Sequence, residues 1–145
     1  MRQGPEQRKG KSQTGGPPVP VAVAILLREN RILVTQRREG THLAGTWEFP
    51  GGKVLAGEEP QVALRREVEE EVGARFDKCT LIHRQQHAYA ERQVDLYFYL
   101  CTGLTGEPAS TEGQEIRWVS ASDLDHLPTP AANAEVIRMI QDQLG

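Results

Sequence analysis

The chain contains 145 residues, and 38% of them are hydrophobic, which is enough apolar surface for the core of one domain. The formal net charge of −3 argues against a general nucleic-acid-binding protein, and no long apolar run predicts a signal peptide or a membrane span. We therefore expect a cytoplasmic protein with no membrane association and no stable nucleic-acid partner.

Residues 1–18 differ in composition from the rest of the chain. They are rich in glycine, proline, glutamine and basic residues and show no apolar periodicity, which is typical of a disordered basic tail. Such a tail can contact nucleic acid or a partner protein, but a solvated tail is the simpler interpretation. The sequence thus predicts one folded domain over residues 19–145.

The folded part is predicted to mix strands and helices. Residues 19–27 and 32–35 are apolar and β-branched around a polar turn, so they predict a hairpin or two sheet strands, with a buried first strand. Residues 80–89 and 93–101 predict a long antiparallel hairpin. The prediction is completed by a short strand at 47–52, a strand at 115–119 and an amphipathic helix at 132–144.

Residues 52–74 predict a glycine-rich loop that leads into a helix. Pro60 suits the first helical position because its missing N–H would have no partner there, and Gly73 suits the helix end. One arc of this helix is apolar at spacings of four residues, through Leu64, Val68 and Val72.

Three carboxylates, on Glu67, Glu70 and Glu71, share the neighbouring arc of the helix. Like charges one turn apart repel, and more so beside an apolar face, so a cation is expected to compensate them. Mg²⁺ and Mn²⁺ prefer oxygen ligands and complete their shells with substrate phosphates. Arg66 is placed to reach Glu70 one turn on or to brace Glu67 from the side. The alternative is a solvated acidic helix face.

A pattern of fixed spacings links this helix to a known family. Gly52, Glu58 and residues 66–74 match every fixed position of GX5EX7REUXEEXGU, where U is apolar. The chain therefore resembles the Nudix hydrolases. The segments VAVAILLRENRILVTQRR, WEFPGGK and TEGQEIRWV resemble the MutT-like branch of that family, so the likeness covers all but the first eighteen or so residues.

The resemblance implies an α/β fold in which a mixed β-sheet is sandwiched between helices. It also implies a Mg²⁺-dependent enzyme, with Mn²⁺ as the alternative metal, that hydrolyses a nucleoside triphosphate to a monophosphate and pyrophosphate. The implied substrate is 8-oxo-dGTP, and we expect a monomer. By the same resemblance the metal ligands are Gly51, Glu67, Glu70, Glu71 and Glu112.

The catalytic roles implied by the resemblance belong to three residues. Glu67 is predicted to be the general base and Glu112 is its rival, because the sequence does not separate a metal ligand from a base. Arg66 completes the catalytic set by fixing the carboxylates. The substrate-binding residues implied in the same way are Arg37, His42, Glu48, Phe49, Pro50, Gly51 and Asn133.

Several of these residues have structural alternatives. Arg37 at a strand end is ordinarily solvated, Phe49 is ordinarily a core residue, and Asn133 in a first helical turn is ordinarily a cap. The functional reading of Asn133 has a chemical basis. Oxidation of guanine at C8 places a proton on N7, so the base edge becomes an O6 acceptor beside an N7–H donor. An amide satisfies that edge fully, whereas plain guanine leaves one bond unmade; adenine would also fit a flipped amide, so Asn133 selects against plain guanine without by itself identifying the oxidised base.

Other functions stay open at this point. A Nudix enzyme acting on pyrimidine nucleotides or dinucleoside polyphosphates would have the same motif and a different pocket. A non-catalytic nucleotide-binding or RNA-binding module is the alternative of another class, and the intact carboxylates argue against it.

Overall fold

A computed structural model describes residues 16–89 and 92–144. Most of the predicted tail, residues 1–15, lies outside the described residues, as do Ala90 and Glu91 of the predicted turn. The first strand begins at Val19. Neither α-helix in the described ranges is long and apolar enough to span a membrane.

The described ranges contain seven strands, two α-helices and two short 3₁₀ turns. Both predicted hairpins and the predicted helix over the motif are present. In chain order the elements are β1 (Val19–Arg28), β2 (Arg31–Gln36), β3 (Trp47–Glu48), β4 (Gly51–Lys53), α1 (Pro60–Val72), β5 (Lys78–Ala88), β6 (Gln93–Thr102), β7 (Ile116–Val119), the 3₁₀ turns Ser122–His126 and Ala131–Asn133, and α2 (Ala134–Leu144).

The seven strands form one mixed sheet. Its central path runs β3-β2-β1-β6-β5, with β4 added to β1 and β7 added to β2. Strand β1 pairs with β6 in parallel along eight residues, and its other pairings, to β2 and β4, are antiparallel. The predicted mixed sheet is therefore present, but the parallel pair joins strands that are far apart in sequence.

The hairpin between β1 and β2 is closed by a tight turn at Glu29 and Asn30. Both residues have positive φ, 53° and 62°. Two consecutive residues in this region are typical of the turn whose twist matches a β-hairpin. Strands β1 and β2 pair only beside this turn, at Leu27–Ile32 and Arg28–Arg31. The rest of this edge of β1 is thus free to pair with β4, while β6 pairs along the opposite edge.

Helices α1 and α2 cover opposite faces of the sheet. Side chains alternate along β1, so Ala22 and Ala24 pack against α1 while Val23 and Ile25 pack toward α2. The apolar arc of α1 is fully buried at Leu64, Val68 and Val72, as predicted. Both faces of the central strands are therefore core, which explains their nearly continuous apolar sequences.

Helix α1 begins and ends where the sequence predicts, whereas α2 begins later than predicted. Pro60 begins α1, and Gly73 ends it in the left-handed conformation at φ 69°. Helix α2 begins at Ala134, two residues later than predicted. Asn133 belongs to the preceding 3₁₀ turn and not to the first turn of the helix.

Candidate active site

The carboxylate of Glu71 lies in a half-buried position between α1 and β4. Its Oε1 accepts a hydrogen bond of 3.0 Å from the backbone N–H of Gly51. Burial raises the pKa of Glu71 to about 7, the Gly51 N–H opposes that shift, and the nearby charges of Glu48, Glu67 and Glu112 add to it. Several negative groups therefore surround Glu71, and a cation would relieve the cost of keeping it ionised.

Gly51 presents its backbone to the same place. The N–H of Ala24 donates to the carbonyl of Pro50 at 2.8 Å, so the Ala24–Pro50 pair is a hydrogen-bonded pair of the β1–β4 ladder. Gly51, opposite Val23, then falls at a non-hydrogen-bonded position, where N–H and C=O both point away from β1. The Gly51 carbonyl thus points to the side on which its N–H meets Glu71.

Arg66 connects the loop before α1 to the carboxylates on it. Its guanidinium donates two bonds of 3.0 Å to Glu58, one of 2.8 Å to Glu67, and one of 3.1 Å to the carbonyl of Lys53. A weaker ion pair of 3.6 Å reaches Glu70. The predicted contacts of Arg66 with Glu67 and Glu70 are both present. The bidentate bond to Glu58 is the strongest restraint in this group.

The Glu67 carboxylate lies directly over Gly52. A Cβ atom added at Gly52 would come within 2.7 Å of Oε2 of Glu67 and nearer still to its other carboxyl atoms. The absence of a side chain at Gly52 is therefore what leaves room for Glu67. Because Arg66 binds Oε2 of Glu67, Oε1 remains available to another group.

Glu112 lies on the loop before β7 and close enough to Glu71 to raise its pKa. Thr111 fixes this loop to the end of α1, with its hydroxyl donating to the carbonyls of Glu70 and Glu71 at 2.7 and 3.0 Å. Glu71, Glu112 and Glu48 line a cavity of about 150 Å³. We call it the acidic cavity.

The convergence of the three helix carboxylates is partial. Glu70 has a side chain 63% exposed, whereas Glu67 is only 23% exposed and is held by Arg66. No three metal-binding side chains in the described ranges are close enough to form a complete site by themselves. The atoms available to bind a metal are all oxygens, and the carboxylates around Glu71 repel one another. This set fits a hard divalent cation that also binds water and phosphate.

A larger cavity of about 450 Å³ adjoins the acidic cavity, and we call it the nucleotide cavity after the substrate that the sequence predicts. Arg37 and Glu48 line both cavities, and their side chains form an ion pair with 3.2 Å between Nη1 of Arg37 and Oε1 of Glu48. Burial raises the pKa of Glu48, and Arg37 opposes that shift. Other residues lining the nucleotide cavity are His42, Lys53, Tyr89, Arg92 and Pro130.

Asn133 is buried in the 3₁₀ turn before α2 and is not among the residues that line either cavity. It is only 8% exposed, and its side-chain amide makes no hydrogen bond within residues 16–89 and 92–144. Its backbone N–H donates to the carbonyl of Pro130 at 3.0 Å, and Pro130 lies in the wall of the nucleotide cavity. Burying an unsatisfied amide costs about 1–3 kcal/mol, so a ligand that pairs with it would recover that cost.

A family model described as NUDIX domain matches residues 21–139. The chain belongs to the Nudix family. A curated 8-oxo-dGTP diphosphatase of Haemophilus influenzae is 42% identical over 126 residues, which cover 86% of this chain and 93% of that protein. The CTP pyrophosphohydrolase of Escherichia coli is 31% identical over 118 residues, which cover 81% of this chain and 86% of that protein.

The fold is likewise shared with a solved Nudix structure. The MutT NUDIX hydrolase from Burkholderia pseudomallei matches with a TM-score of 0.75 at 31% identity, covering 90% of this chain and 100% of that one. The predicted Nudix α/β fold is thereby confirmed. Nudix hydrolases generally need a divalent metal, in agreement with the oxygen-rich surroundings of Glu71.

Two residues of the predicted nucleotide site lie in the core of this Nudix domain. Phe49 is 5% exposed, packs in the cluster with Trp47 and Val94, and does not line either cavity. Pro50 is fully buried, and its carbonyl serves the β1–β4 ladder. The core alternative therefore describes Phe49, because the strand alternation that exposes Glu48 to the cavities turns its neighbour inward.

The sequence reading missed other residues of the Nudix site. Glu58 was not among the predicted site residues, although its carboxylate accepts two hydrogen bonds from the Arg66 guanidinium. Tyr89 and Arg92 line the nucleotide cavity, and only the tertiary fold shows this. Tyr89 also contacts the rings of His42 and His87 edge-on, at 5.6 and 4.7 Å between centroids.

Proposed function

We propose that the protein hydrolyses 8-oxo-dGTP to 8-oxo-dGMP and pyrophosphate with Mg²⁺, and so removes an oxidised nucleotide from the precursors of DNA. The observation that carries this proposal is the shared wall of the two cavities. Arg37 and Glu48 separate a small carboxylate-lined space from one of about 450 Å³, a volume typical of small-ligand pockets. A polyphosphate bound beside Glu71 would place its nucleoside in the larger cavity.

The groups proposed to hold the metal are Glu71, the Gly51 carbonyl, Glu67, Glu70 and Glu112. A divalent cation held there supplies positive charge against the phosphates and Lewis acidity. Glu67 is the proposed general base, since Arg66 occupies its Oε2 and leaves Oε1 to accept a proton from water. Glu112, which lines the acidic cavity with Glu71, is the alternative base. Water attack on the β-phosphorus would release the monophosphate and pyrophosphate.

Selection of the oxidised base is assigned to Asn133. Its buried amide has a donor and an acceptor to offer to the O6 and N7–H of 8-oxoguanine. Plain guanine has an acceptor at N7, which would leave the amide oxygen facing a lone pair, at a cost of about 1–3 kcal/mol. This corresponds to about 5- to 150-fold in selectivity, since 1.36 kcal/mol is a factor of ten. The name of the Haemophilus influenzae relative agrees with this substrate.

A pyrophosphate-release screen tests the proposal. It compares 8-oxo-dGTP, dGTP, CTP and diadenosine polyphosphates, with Glu67→Gln as the catalytic control and Asn133→Ala as the selectivity control. We expect the highest kcat/KM for 8-oxo-dGTP, loss of turnover in Glu67→Gln, and reduced preference over dGTP in Asn133→Ala. Equal kcat/KM for 8-oxo-dGTP and dGTP would refute the assignment of Asn133. Preference for CTP would favour the activity named for the Escherichia coli relative.

We further propose that the protein is a monomer that acts on free nucleotides in the cytoplasm. Size-exclusion chromatography with light scattering tests the monomer, and a dimer that dissociates only with loss of activity would contradict it. Fractionation of cells tests the location.

A further inference from the structure

We infer that Gln85, assisted by His83, is a positioning residue for Asn133 and thereby for base selection. The inference rests on the proposed function. Gln85 lies on β5, distant in sequence from the turn Ala131–Asn133, and it contacts none of the carboxylates described above. Its Nε2 donates a hydrogen bond of 3.2 Å to the backbone carbonyl of Ala132, the residue immediately before Asn133.

The orientation of the Gln85 amide is determined by its two neighbours. The Ala132 carbonyl only accepts hydrogen bonds, so the amide nitrogen must face it and the amide oxygen must face away. That oxygen lies 3.0 Å from Nε2 of His83, which must therefore carry the proton and donate. The result is a chain of bonds from the His83 ring through the Gln85 amide to the peptide that carries Asn133.

A β-bulge brings these two side chains to the correct face of the sheet. The register of β5 against β6 shifts between Leu81 and His83. Before the shift, Cys79 packs on the α1 side; after it, His83 lies beside Phe98, with 5.8 Å between ring centroids, on the α2 side. In an unbroken strand these residues, four apart, would share one face. The extra residue therefore delivers His83 and Gln85 to the turn that carries Asn133.

Helix α2 contributes a second link to the same network. The carboxylate of Glu135 lies 3.7 Å from Nε2 of His83, so the ring has acceptors on both β5 and α2. The other hydrogen bonds of the turn within the described residues are local, from the N–H of Asn133 to Pro130 and from the N–H of Ala134 to Ala131, and Ala132 packs in the core. Gln85 thus supplies a bond that fixes the turn relative to the sheet, and an error of a fraction of an ångström there would misalign the Asn133 amide.

The test is a double-mutant cycle on the ratio of kcat/KM for 8-oxo-dGTP to kcat/KM for dGTP. Gln85→Met removes the hydrogen bond and nearly conserves volume, and Gln85→Glu keeps the shape but sets an acceptor against the Ala132 carbonyl. Gln86→Met is the matched control, because Gln86 is the adjacent glutamine on the opposite, exposed face of β5. Circular dichroism melting checks that each variant is folded.

We expect Gln85→Met to lower the ratio about 3- to 10-fold, the worth of one hydrogen bond, through a higher KM for 8-oxo-dGTP with kcat nearly unchanged. Gln85→Glu should lower it at least as much, and Gln86→Met should leave it unchanged. In an Asn133→Ala background Gln85→Met should have no further effect, because the residue acts through Asn133.

Two outcomes overturn the inference without touching the proposed function. One is a wild-type protein that prefers 8-oxo-dGTP while folded Gln85→Met and Gln85→Glu variants keep the full ratio. The other is an equal effect of Gln85→Met with and without Asn133, which would assign Gln85 a general structural role. A wild-type ratio near one would instead refute the proposed substrate, and the inference with it.

Discussion

Gly51 and Gly52 are adjacent, but substitution by alanine should mainly reduce activity at Gly52 and mainly reduce stability at Gly51. In Gly52→Ala the new methyl group would lie within 2.7 Å of Oε2 of Glu67, whereas ordinary contacts begin near 3.4 Å. The Glu67 carboxylate must therefore move by roughly 1 Å, away from its bond to Arg66. A misplacement of that size at a catalytic group costs about 100-fold in rate.

The stability of Gly52→Ala should change little, because the atom that must move is the end of a flexible side chain and Arg66 keeps its two bonds to Glu58. Loss of one charge-assisted bond contributes about 1.5–3 kcal/mol at most, and partial exposure reduces it. In Gly51→Ala the methyl group would instead meet the backbone carbonyl of Ala22 and lie 3.0 Å from Cα of Val23. Separating β4 from β1 should cost about 3 kcal/mol or more.

The measurements are kcat from pyrophosphate release with 8-oxo-dGTP and the melting temperature by circular dichroism. We expect Gly52→Ala to melt within a few degrees of the wild type with kcat reduced about 100-fold. Gly51→Ala should melt well below both. A Gly52→Ala variant with kcat within twofold of the wild type would refute the reasoning about Glu67, and so would a melting temperature as low as that of Gly51→Ala.

Three further predictions concern the positioning of Arg66, the metal and the acid stability of the fold. Glu58→Gln weakens the charge-assisted bonds that orient Arg66, so kcat should fall about 10- to 100-fold, and an unchanged kcat would contradict this. Mg²⁺ or Mn²⁺ at 100 times its dissociation constant should raise the free energy of unfolding by about 2.7 kcal/mol, which is measured as a higher melting temperature. Glu71→Gln should largely remove this increase in melting temperature. An equal increase in the variant would exclude Glu71 as a ligand. The hydrogen bond from Arg84 to Asp95 lowers the pKa of Asp95, so the ionised Asp95 stabilises the fold above a pH of about 4, and this stabilisation is lost as the pH falls through the lowered pKa. The urea midpoint of Asp95→Asn should therefore depend less on pH, between pH 6 and 2, than that of the wild type. Parallel curves for the two proteins would contradict the assignment.

The sequence predicted the local elements of the site because their signals are short-range. Pro60, Gly73 and the apolar spacing of Leu64, Val68 and Val72 specify a helix and its ends within a few turns, and the structure confirms all of them. The fixed spacing of Gly52, Glu58 and residues 66–74 identified the family for the same reason.

The surroundings of individual side chains were harder to predict. The sequence placed Glu67, Glu70 and Glu71 on one arc, yet one is held by Arg66, one is mainly exposed, and one is half-buried against Gly51. These differences arise from β4 and from the loop that carries Glu112, which pack against only part of the arc. Phe49 lies in the core because a strand that exposes one residue buries the next.

What the sequence by itself determined was therefore the type of each element, the family and the acidic character of one helix face. Only the tertiary structure decided the parallel pairing of β1 with β6, the bulge that turns Gln85 toward Ala132, and the meeting of two cavities at Arg37 and Glu48. Periodicity reports which residues share a face of one element. It contains no information about which other element covers that face, because that choice depends on contacts between residues far apart in the chain.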